Sequence, residues 1–411
     1  MKKPTKTTIA IITISLAIIG LSQDAGAQSV RTKGKPSKLQ IIAHGVVNAP
    51  FQDKKFSYHG WPTVGRIDDG TLIAVASLRY AHVDPFGKVV MYKSTDEGKT
   101  WDGPQVILET PMDDRDAGFA NMGNGRLIVT SFNWPREQMR RWVDHYKDIK
   151  EIGLARLDAI TDETEQQFVG GLAVASLDNG VTWSEPRKVP FCGVPHGPSP
   201  RRDGSLIVAT RRLSSPPPKD SGQIKVFTSA DGLDYTHLSD VSLPKDPNLA
   251  GCRFNEPHII ELKNGRLVMQ IRVEGNAGTG VDKKRVFTIC QTVSDDGGKT
   301  FSVPKVIGDV ADQGAPPHLL QHSSGTVIST YARRRGGPPG ILAMLSRDNG
   351  DTWEINLSLW IKGVSWDLGY PSSVELPGGD ILTVYYAALA AREKPSLLWT
   401  RWRLPEQSAR N

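Results

Sequence analysis

One eight-residue pattern recurs along the chain and constrains its fold more than any other feature. It combines a serine, an aspartate, a glycine and an aromatic residue, as in "STDEGKTW" (94–101), "SLDNGVTW" (176–183), "SDDGGKTF" (294–301) and "SRDNGDTW" (346–353). A shortened copy, "SADGLDY", occupies 229–235. Because serine and aspartate side chains hydrogen-bond nearby backbone groups in turns, each copy predicts a turn whose aromatic ring packs between strands. Calcium binding is a weaker alternative, since no copy has a full calcium-loop pattern.

A second repeat alternates with the first and predicts β-hairpins. Each copy is a short run, a turn ending in glycine, and a second run rich in Ile, Leu and Val, as in "WPTVGRIDDGTLIAVAS" from Trp61. Such turns need positive backbone angles, which glycine adopts readily. The six turn glycines are Gly70, Gly125, Gly204, Gly265, Gly325 and Gly379. Five of these hairpins are followed by a serine–aspartate turn, so each unit is interpreted as four strands.

The two repeats together predict an all-β fold, a six-bladed β-propeller. The sixth blade lacks a serine–aspartate turn, and "KLQIIAHGVV" (38–47) is expected to supply its missing strand and close the ring. The longest spacing between turn glycines lies in the second blade and contains "REQMRRWVDHYKDI" (136–149). Its apolar residues recur at helical intervals, which predicts one surface helix that packs without taking part in chemistry. They are Met139, Trp142, Val143, Tyr146 and Ile149.

Blade topology predicts where functional residues meet. The hairpins and the serine–aspartate turns share one face, so residues just before each first strand and just after each second strand converge on the opposite face. The first group is His59, Trp61, Asp116, His196, Glu256, His258, His318, Asp367 and Tyr370. The second group is Arg79, His82, Asp84, Arg211, Arg212, Arg272, Arg333, Arg334 and Arg335. These residues predict a cationic pocket for an acidic ligand, because guanidinium groups bind carboxylates through two hydrogen bonds.

This residue set on a six-bladed propeller resembles the exo-sialidases (neuraminidases), over essentially the whole chain after residue 27. The most specific segments are "NEPHIIELKNGRLVMQIR" from Asn255 and "LGYPSSVELPGG" from Leu368. The resemblance implies a nucleophilic Tyr370, with Glu256 as its base and Asp84, in "SLRYAHVDPFG", as the acid. It also implies that Arg272, with Arg333 or Arg334, binds the substrate carboxylate.

The implied mechanism is chemically coherent. A sialoside carries a carboxylate on its reacting carbon, which would repel a carboxylate nucleophile but not a neutral tyrosine. Glu256 would take the proton from Tyr370, and Asp84 would protonate the leaving oxygen and later activate water. The resemblance therefore implies a retaining hydrolase that removes terminal sialic acid or a related acidic sugar from glycans, with no cofactor and no metal.

The first blade departs from the sialidase pattern. Sialidases carry an arginine just before this strand, whereas the present chain has Gly60 and Trp61 there, in "YHGWPTV" (58–64). The three-arginine clamp on the substrate is therefore incomplete unless Arg79 or Arg115 reaches the pocket. A hydrogen bond to a charged group contributes roughly 1.5–3 kcal/mol, so this departure affects the expected substrate more than the expected fold.

Histidines provide the main alternative reading of the pocket. His59, His196, His258 and His318 precede the first strands of four different blades. They are candidates for hydrogen bonds to sugar hydroxyls, for metal ligation, or for acid–base chemistry with Tyr370. The last option predicts a polysaccharide lyase, or a glycosidase acting on uronate-containing glycans. A further alternative is a glycan-binding propeller without catalytic activity.

Residues 1–27 have the features of a secretory signal peptide. A lysine-rich start precedes the apolar run "TTIAIITISLAIIGL" (7–21), and "AGA" (25–27) offers a cleavage site after Ala27. We therefore expect a single catalytic domain over residues 28–411. The mature protein is expected to be secreted or periplasmic, with no stable membrane association.

Charge and cysteine content exclude other function classes. Removal of the leader, with three lysines and Asp24, lowers the formal charge from +6 to +4. The basic residues form no stripe with interleaved aromatics, which argues against nucleic-acid binding. The three cysteines, Cys192, Cys252 and Cys290, allow one disulfide at most. A large hydrophobic core must therefore hold the domain together.

Overall fold

The structure is a computed structural model that describes residues 30–32, 38–48, 56–211, 223–277, 284–307 and 315–406. The expected leader and Arg212 lie outside the described residues, so cleavage after Ala27 and the domain boundary at residue 28 stay predictions. Two short strands precede the first blade, β1 (Arg31–Thr32) and β2 (Gln40–Val46).

The first three blades follow in chain order. The first contains β3 (Tyr58–Arg66), β4 (Leu72–Arg79), β5 (Lys88–Ser94) and β6 (Asp102–Leu108). The second contains β7 (Arg115–Asn121), β8 (Leu127–Asn133), β9 (Gly170–Ser176) and β10 (Arg187–Val189). Between β8 and β9 lie α1 (Arg136–Val143), α2 (Lys150–Asp158) and α3 (Asp162–Phe168). The third contains β11 (Ser199–Pro200), β12 (Leu206–Thr210), β13 (Gln223–Ser229) and β14 (Thr236–Ser242).

The remaining three blades follow a 3-10 turn at Pro247–Leu249. The fourth contains β15 (Arg253–Glu261), β16 (Leu267–Ala277), β17 (Lys284–Ser294) and β18 (Lys305–Val306). The fifth contains β19 (Ala315–Gln321), β20 (Val327–Arg333), β21 (Gly340–Ser346) and β22 (Thr352–Trp360). The sixth contains β23 (Gly369–Glu375), β24 (Ile381–Ala387) and β25 (Ser396–Arg403).

These sheets form the predicted six-bladed propeller, with the first strands of neighbouring blades in contact around the centre. The N-terminal strand closes the ring as predicted, because β2 pairs antiparallel with β25, from Gln40 opposite Arg403 to Val46 opposite Leu398. One feature was not predicted. β1 pairs parallel with β22 and gives the fifth blade a fifth strand.

The hydrophobic core is divided among the six interfaces between blades. Each interface has its own cluster of buried side chains, and a seventh cluster lies beneath the helices. The second strands are covered on both sides, so all eight residues of β4 are buried. This burial explains why the runs after the turn glycines are continuously apolar instead of alternating.

The repeated turns are held by local hydrogen bonds, as expected for structural elements. In all five serine–aspartate turns the serine hydroxyl donates to the aspartate at 2.7–3.0 Å and accepts the glycine amide at 2.8–3.0 Å. Hydrogen bonds from the Thr100 amide and hydroxyl lower the pKa of Asp96 to about 2. The hairpin turns share this face: Arg266 Nε, in the fourth hairpin, donates to Asp295 at 2.8 Å.

The insertion in the second blade differs from the prediction. It contains three helices where the pattern predicted one, because α1 ends at Val143 and the chain turns before α2. Met139 and Val143 are buried with Val83 and Met112, so the insertion has a small core of its own. Trp142, expected on the apolar face, is 44% exposed.

Two further observations concern membrane-spanning helices and the cysteines. Among the described residues, no helix is both long enough and apolar enough to cross a membrane. Cys192, Cys252 and Cys290 are all free thiols. The core between the blades is therefore not reinforced by a bond among these three residues.

Candidate active site

An irregularity at the start of the first strands builds the candidate site. In five blades the pairing with the second strand shifts by one residue there, which is a β-bulge. Four bulge residues have positive φ: Trp61 (52°), Asp116 (56°), Glu256 (49°) and Tyr370 (49°). Bulky side chains rarely adopt this conformation, and bulges next to active sites re-aim side chains. The strain therefore marks these four positions for function.

Tyr370, Glu256 and Arg272 form a tight group within the site. The Tyr370 hydroxyl donates to Glu256 Oε1 at 2.9 Å, and Arg272 Nη1 lies 3.1 Å from the same hydroxyl. The same guanidinium nitrogen donates to Glu256 Oε2 at 2.6 Å. Burial, followed by the charge of Glu256, raises the pKa of Tyr370 well above its usual value, and the charge of Asp116 acts in the same direction. The tyrosine is therefore neutral, with a proton acceptor in contact.

Glu274, which sequence reasoning missed, completes the surroundings of Arg272. Arg272 Nη2 donates to Glu274 Oε2 at 2.7 Å, and Arg253 Nη2 donates to Glu274 Oε1 at 3.1 Å. Burial is the largest single effect and opposes ionisation of Glu274, but the charges of Arg272, Arg253 and Arg334 and the hydrogen bond from Arg272 together lower the pKa of Glu274. The available sequence signal was that Glu274 follows Arg272 by two residues, because this spacing places both side chains on the same side of a strand. Arg272 is therefore held by two carboxylates.

The structure distinguishes between the neighbouring arginines of the fifth blade. Arg334 Cζ lies 5.5 Å from the centre of the Tyr370 ring, and its Nη2 donates to the Tyr386 hydroxyl at 2.9 Å. Arg333 Nε donates instead to the carbonyl of Pro338, at 2.9 Å in its own hairpin. Arg335 is exposed. Arg334 is therefore the arginine that joins Tyr370.

Trp61 fills the place where the sialidase pattern has an arginine. Its ring is buried, with its centre 6.3 Å from that of Tyr370. Two guanidinium groups stack on it, with Arg115 Cζ at 4.7 Å and Arg79 Cζ at 5.0 Å from the ring centre. Arg79 is completely buried and is held by Asp113 and by Asp84. Of the two suggested substitutes for the missing arginine, Arg115 has the closer contact with Trp61.

Asp84 is placed as a loop anchor. Its side chain is fully buried, and Oδ2 accepts Arg79 Nε at 3.1 Å and the Ala81 amide at 2.9 Å. Oδ1 accepts the Phe86 amide at 2.8 Å. Both oxygens are thus engaged inside the loop after β4. The described contacts do not bring Asp84 to Tyr370 or Glu256, so the structure gives its expected acid role no support.

A polar network forms the adjacent wall of the site. The Asp367 carboxylate lies 2.9 Å from His82 Nδ1 and accepts the hydroxyls of Tyr58 and Tyr386, each at 3.0 Å. Through Tyr386 the network reaches Arg334. Sequence reasoning included His82 and Asp367 among the pocket residues but missed both tyrosines. Tyr58 is the first residue of β3 and Tyr386 lies near the end of β24, and neither was named as a candidate.

Three of the predicted histidines form a buried layer at the centre of the propeller. The rings of His258 and His318 are stacked at 4.6 Å, and that of His196 lies 5.0 Å from His318 and 6.5 Å from Tyr370. Backbone amides of Leu319 and Ser373 donate to Nδ1 of His258 and His318, at 2.9 and 3.2 Å. Each accepting nitrogen must therefore be unprotonated, and these two rings are neutral.

Burial acts in the same direction on this histidine layer. It lowers the pKa of His258 to about 3 and the pKa values of His196 and His318 well below their usual range. The layer also lines a cavity of about 400 Å³ on the hairpin side of the channel, where Arg66, Glu261 and Lys263 line it and Tyr370 does not. Among the described residues, no group of three His, Cys, Asp or Glu has a geometry that could hold a metal ion.

His59 does not join the other histidines. Its ring is fully buried in the first blade, where Nε2 lies 2.8 Å from the Tyr92 hydroxyl and Nδ1 lies 3.1 Å from the Ser57 carbonyl. Burial lowers the pKa of His59 to about 4. His59 is the second residue of β3 and does not precede the strand as expected. Its side chain faces the blade interior, away from the residues around Tyr370.

The charge of the site also differs from the expectation of a cationic pocket. Four guanidinium groups surround Trp61 and Tyr370, from Arg79, Arg115, Arg272 and Arg334. They are accompanied by more carboxylates, from Asp84, Asp113, Asp116, Glu256, Glu274 and Asp367. The number of arginines in the sequence overestimated the positive charge of the pocket, because the sequence does not show which carboxylates pair with each guanidinium group.

Comparisons with known proteins agree with this architecture. The family model of the BNR repeat-like domain matches residues 159–383, more than half of the chain. No curated protein has a significant match to the sequence. Solved structures provide the remaining comparisons, and the likenesses are at the level of the fold.

Three solved structures illustrate the range of these likenesses. A protein of unknown function from Dyadobacter fermentans is 21% identical, with a TM-score of 0.65 over 89% of this chain and 99% of that chain. The intramolecular trans-sialidase from Ruminococcus gnavus, solved with oseltamivir carboxylate, is 17% identical, with a TM-score of 0.58 over 87% and 97%. The α-L-arabinofuranosidase Arb93A from Fusarium graminearum is 13% identical, with a TM-score of 0.52 over 90% and 99%. At these identities the shared property is the propeller.

Proposed function

We propose that this chain, which belongs to the BNR repeat-like domain family of the exo-sialidase-like superfamily, is a retaining glycoside hydrolase with Tyr370 as its nucleophile. The substrate we propose is a glycan with a terminal sialic acid or a related acidic sugar. The observation that carries the proposal is the Tyr370 hydroxyl, donating to Glu256 at 2.9 Å with Arg272 Nη1 at 3.1 Å. A weak nucleophile needs an adjacent base, and Glu256 is in contact.

In the first step, Tyr370 would attack the anomeric carbon while its proton passes to Glu256. Arg272 lies against both groups and would stabilise negative charge developing on the tyrosine oxygen. Because its pKa is raised, Tyr370 stays neutral until that transfer and does not repel a carboxylate on the reacting carbon. Attack by water on the glycosyl-tyrosine bond would then complete a reaction with retention.

Arg272 and Arg334 are the proposed ligands of the substrate carboxylate. Both guanidinium groups lie at Tyr370, Arg272 at its hydroxyl and Arg334 over its ring. Arginine is suited to this role because its planar group donates two parallel hydrogen bonds to a carboxylate. Trp61, stacked on Arg115, offers an apolar wall where a third arginine is expected from the sialidase resemblance.

A second candidate is a retaining hydrolase of sugars that carry no carboxylate. The surplus of carboxylates over guanidinium groups around Trp61 and Tyr370 favours it, since a neutral sugar would suffer no repulsion there. One fold neighbour is an α-L-arabinofuranosidase. Uronate-containing glycans and binding without catalysis are further outcomes that the same assay distinguishes.

The experiment is an assay of the purified protein and of Tyr370→Phe with a fluorogenic sialoside, beside a matched arabinofuranoside and a uronide. We expect release from the sialoside and a loss of at least about 10³-fold in kcat in the variant, because the nucleophile is removed. Tyr385→Phe is the control, since its hydroxyl lies 3.0 Å from Thr400 inside the sixth blade. It should retain activity within about twofold. Release from another glycoside alone would reassign the substrate, and release by Tyr370→Phe would contradict the nucleophile.

We also propose that the protein acts outside the cytoplasm after removal of residues 1–27. The sequence of the leader supports this proposal. N-terminal sequencing of protein recovered from the culture medium or the periplasm should find Gln28 first. A mature chain that begins at Met1 would contradict it.

A further inference from the structure

His82 and Asp367 form an aspartate–histidine pair at the edge of the candidate site. His82 Nδ1 lies 2.9 Å from Asp367 Oδ1, with side chains 35% and 20% exposed. Tyr58 donates its hydroxyl to both oxygens of Asp367, each at 3.0 Å. Since a carboxylate only accepts, the proton of the neutral imidazole is on Nδ1. Nε2 is therefore the nitrogen that exchanges a proton with another molecule.

This pair and Tyr370 lie on the same wall of the site. The centre of the His82 ring is 5.2 Å from that of Trp61, which is in turn 6.3 Å from that of Tyr370. On its other side His82 lies 5.9 Å from the ring of Trp366, which is 58% exposed. His82 thus contacts both the ring that packs beside Tyr370 and an exposed ring at the edge of the site.

The proposed hydrolysis needs a group that gives a proton to the leaving oxygen and later takes one from water. Asp84 is sealed in its loop by three hydrogen bonds and is fully buried. A histidine oriented through one ring nitrogen by a carboxylate can serve as acid and base through its other nitrogen. The chain offers such a pair at the site.

We propose that His82 is the general acid and base of this reaction, and that Asp367 and Tyr58 position it. The proposal rests on the proposed function. In the first step the Tyr370 oxygen bonds to the anomeric carbon as the leaving-group bond breaks. The Tyr370 proton passes to Glu256, and His82, in its protonated imidazolium form, gives its Nε2 proton to the leaving oxygen. In the second step water bonds to that carbon and gives its proton to His82, while Tyr370 leaves and recovers its proton from Glu256.

The surroundings of His82 give the reaction a predicted pH dependence. Asp367 and the hydroxyl of Tyr58 face its Nδ1, Arg115 donates to its carbonyl at 3.3 Å, and the charge of Arg334 also acts on it. Burial lowers the pKa of His82 from its usual 6.5, and Asp367 opposes that shift. The acid form is thus lost as pH rises through this lowered pKa. Activity on a substrate that needs protonation should fall over that range.

The test compares leaving groups in His82→Gln, Asp116→Asn and Asp367→Asn. A sialoside with a sugar leaving group needs protonation, whereas a nitrophenyl sialoside departs without it. We expect His82→Gln to lose at least about 100-fold in kcat/KM on the first and less than about fivefold on the second. Asp367→Asn should show the same pattern with a smaller loss. The alkaline fall in kcat/KM on the sugar-linked substrate should be absent in His82→Gln.

His237→Gln is the matched control. His237 Nε2 lies 2.8 Å from Asp240 Oδ1 on β14, an exposed aspartate–histidine pair in the third blade, remote from Tyr370. It should leave both substrates unaffected within about twofold. Thermal unfolding of each variant separates a loss of folding from a loss of proton transfer.

The outcomes separate this proposal from the proposed function. Equal losses on both substrates in His82→Gln, or leaving-group dependence in Asp116→Asn instead, would overturn the role of His82 alone. The role of His82 alone would also be overturned if His82→Gln kept wild-type activity on both substrates while Tyr370→Phe was inactive. Wild-type protein inert towards sialosides, arabinofuranosides and uronides with either leaving group would overturn the hydrolase proposal, and the role of His82 with it.

Discussion

The two faces of the propeller are built on opposite principles. On the hairpin face, each serine–aspartate turn is closed by partners two to four residues apart, such as Ser176 with Asp178 and Asp178 with Thr182. On the pocket face, Tyr370 meets Glu256 across 114 residues and Arg272 across 98. The hairpin face repeats one local chemistry, whereas the pocket face combines residues that are unrelated in sequence.

The β-bulge connects these two principles. The same strained backbone position carries Trp61, Asp116, Glu256 and Tyr370 in four blades, so the scaffold repeats while the side chain changes. A repeated backbone thus presents different groups to one centre. Substitutions on the pocket face should therefore change chemistry, and substitutions on the hairpin face should change stability.

The largest effect is expected for Glu256→Gln. The amide keeps the size of the side chain but cannot take the Tyr370 proton, so kcat should fall by about 10²–10⁴-fold in the sialoside assay. Glu261→Gln is the control, because Glu261 lies at the hairpin end of the same strand, paired with Arg202 at 3.3 Å. It should alter kcat by less than about twofold. Similar losses in both variants would show that the two faces are not functionally distinct.

An intermediate effect is expected for Asp178→Ala on the hairpin face. The substitution removes the acceptor of hydrogen bonds from Ser176 and from the Thr182 amide and hydroxyl. We expect the midpoint of urea unfolding to fall, with kcat unchanged, because three hydrogen bonds of the turn lose their acceptor. Asp234→Ala, which removes an exposed ion pair with Arg187, should cost about 0.5 kcal/mol or less. An unstable Asp234→Ala beside a stable Asp178→Ala would contradict the structural role of the turn.

The smallest effect is expected from the pH dependence of the turns. The pKa of Asp96 is about 2 in the folded protein against its usual 3.8, so its ionised form stabilises the fold above about pH 4. That stabilisation is lost as pH falls through the folded value. In Asp96→Asn the free energy of unfolding should decline less steeply between pH 4 and 2, by about 0.5 kcal/mol or less because the turn is largely exposed. Parallel curves for the two proteins would contradict the contribution of Asp96.

The candidate site was predictable only in part. The group of Tyr370, Glu256 and Arg272 was identified by the sialidase resemblance, and the structure brings the three together. Their catalytic roles stay predictions. Asp84 follows β4 as expected, whereas His59 lies within β3 and not before it, and their side chains are turned into a loop and a blade interior. Side-chain direction at a strand end depends on packing that a motif does not contain.

The residues that sequence reasoning missed have two physical causes. Glu274 pairs with Arg272 inside the fourth blade, and its role follows from the direction of that arginine. Tyr58 and Tyr386 instead contact groups from other parts of the chain, Asp367 and Arg334. Those partners are decided by how the blades meet. The excess of carboxylates around the four guanidinium groups was missed because pairing depends on side-chain directions, even within one blade, as for Arg79 with Asp84.

The sequence alone determined the six blades, the two kinds of turn and the closure of the ring by the N-terminal strand. It could do so because turns and hairpins are local: glycine, aspartate and serine act on backbone within a few residues. Only the tertiary structure decided which residues face Tyr370, which arginine of the fifth blade joins it, and that His82 is held by Asp367. These choices depend on ring closure, which brings distant bulges to one centre and selects side-chain directions through burial and pairing of charges.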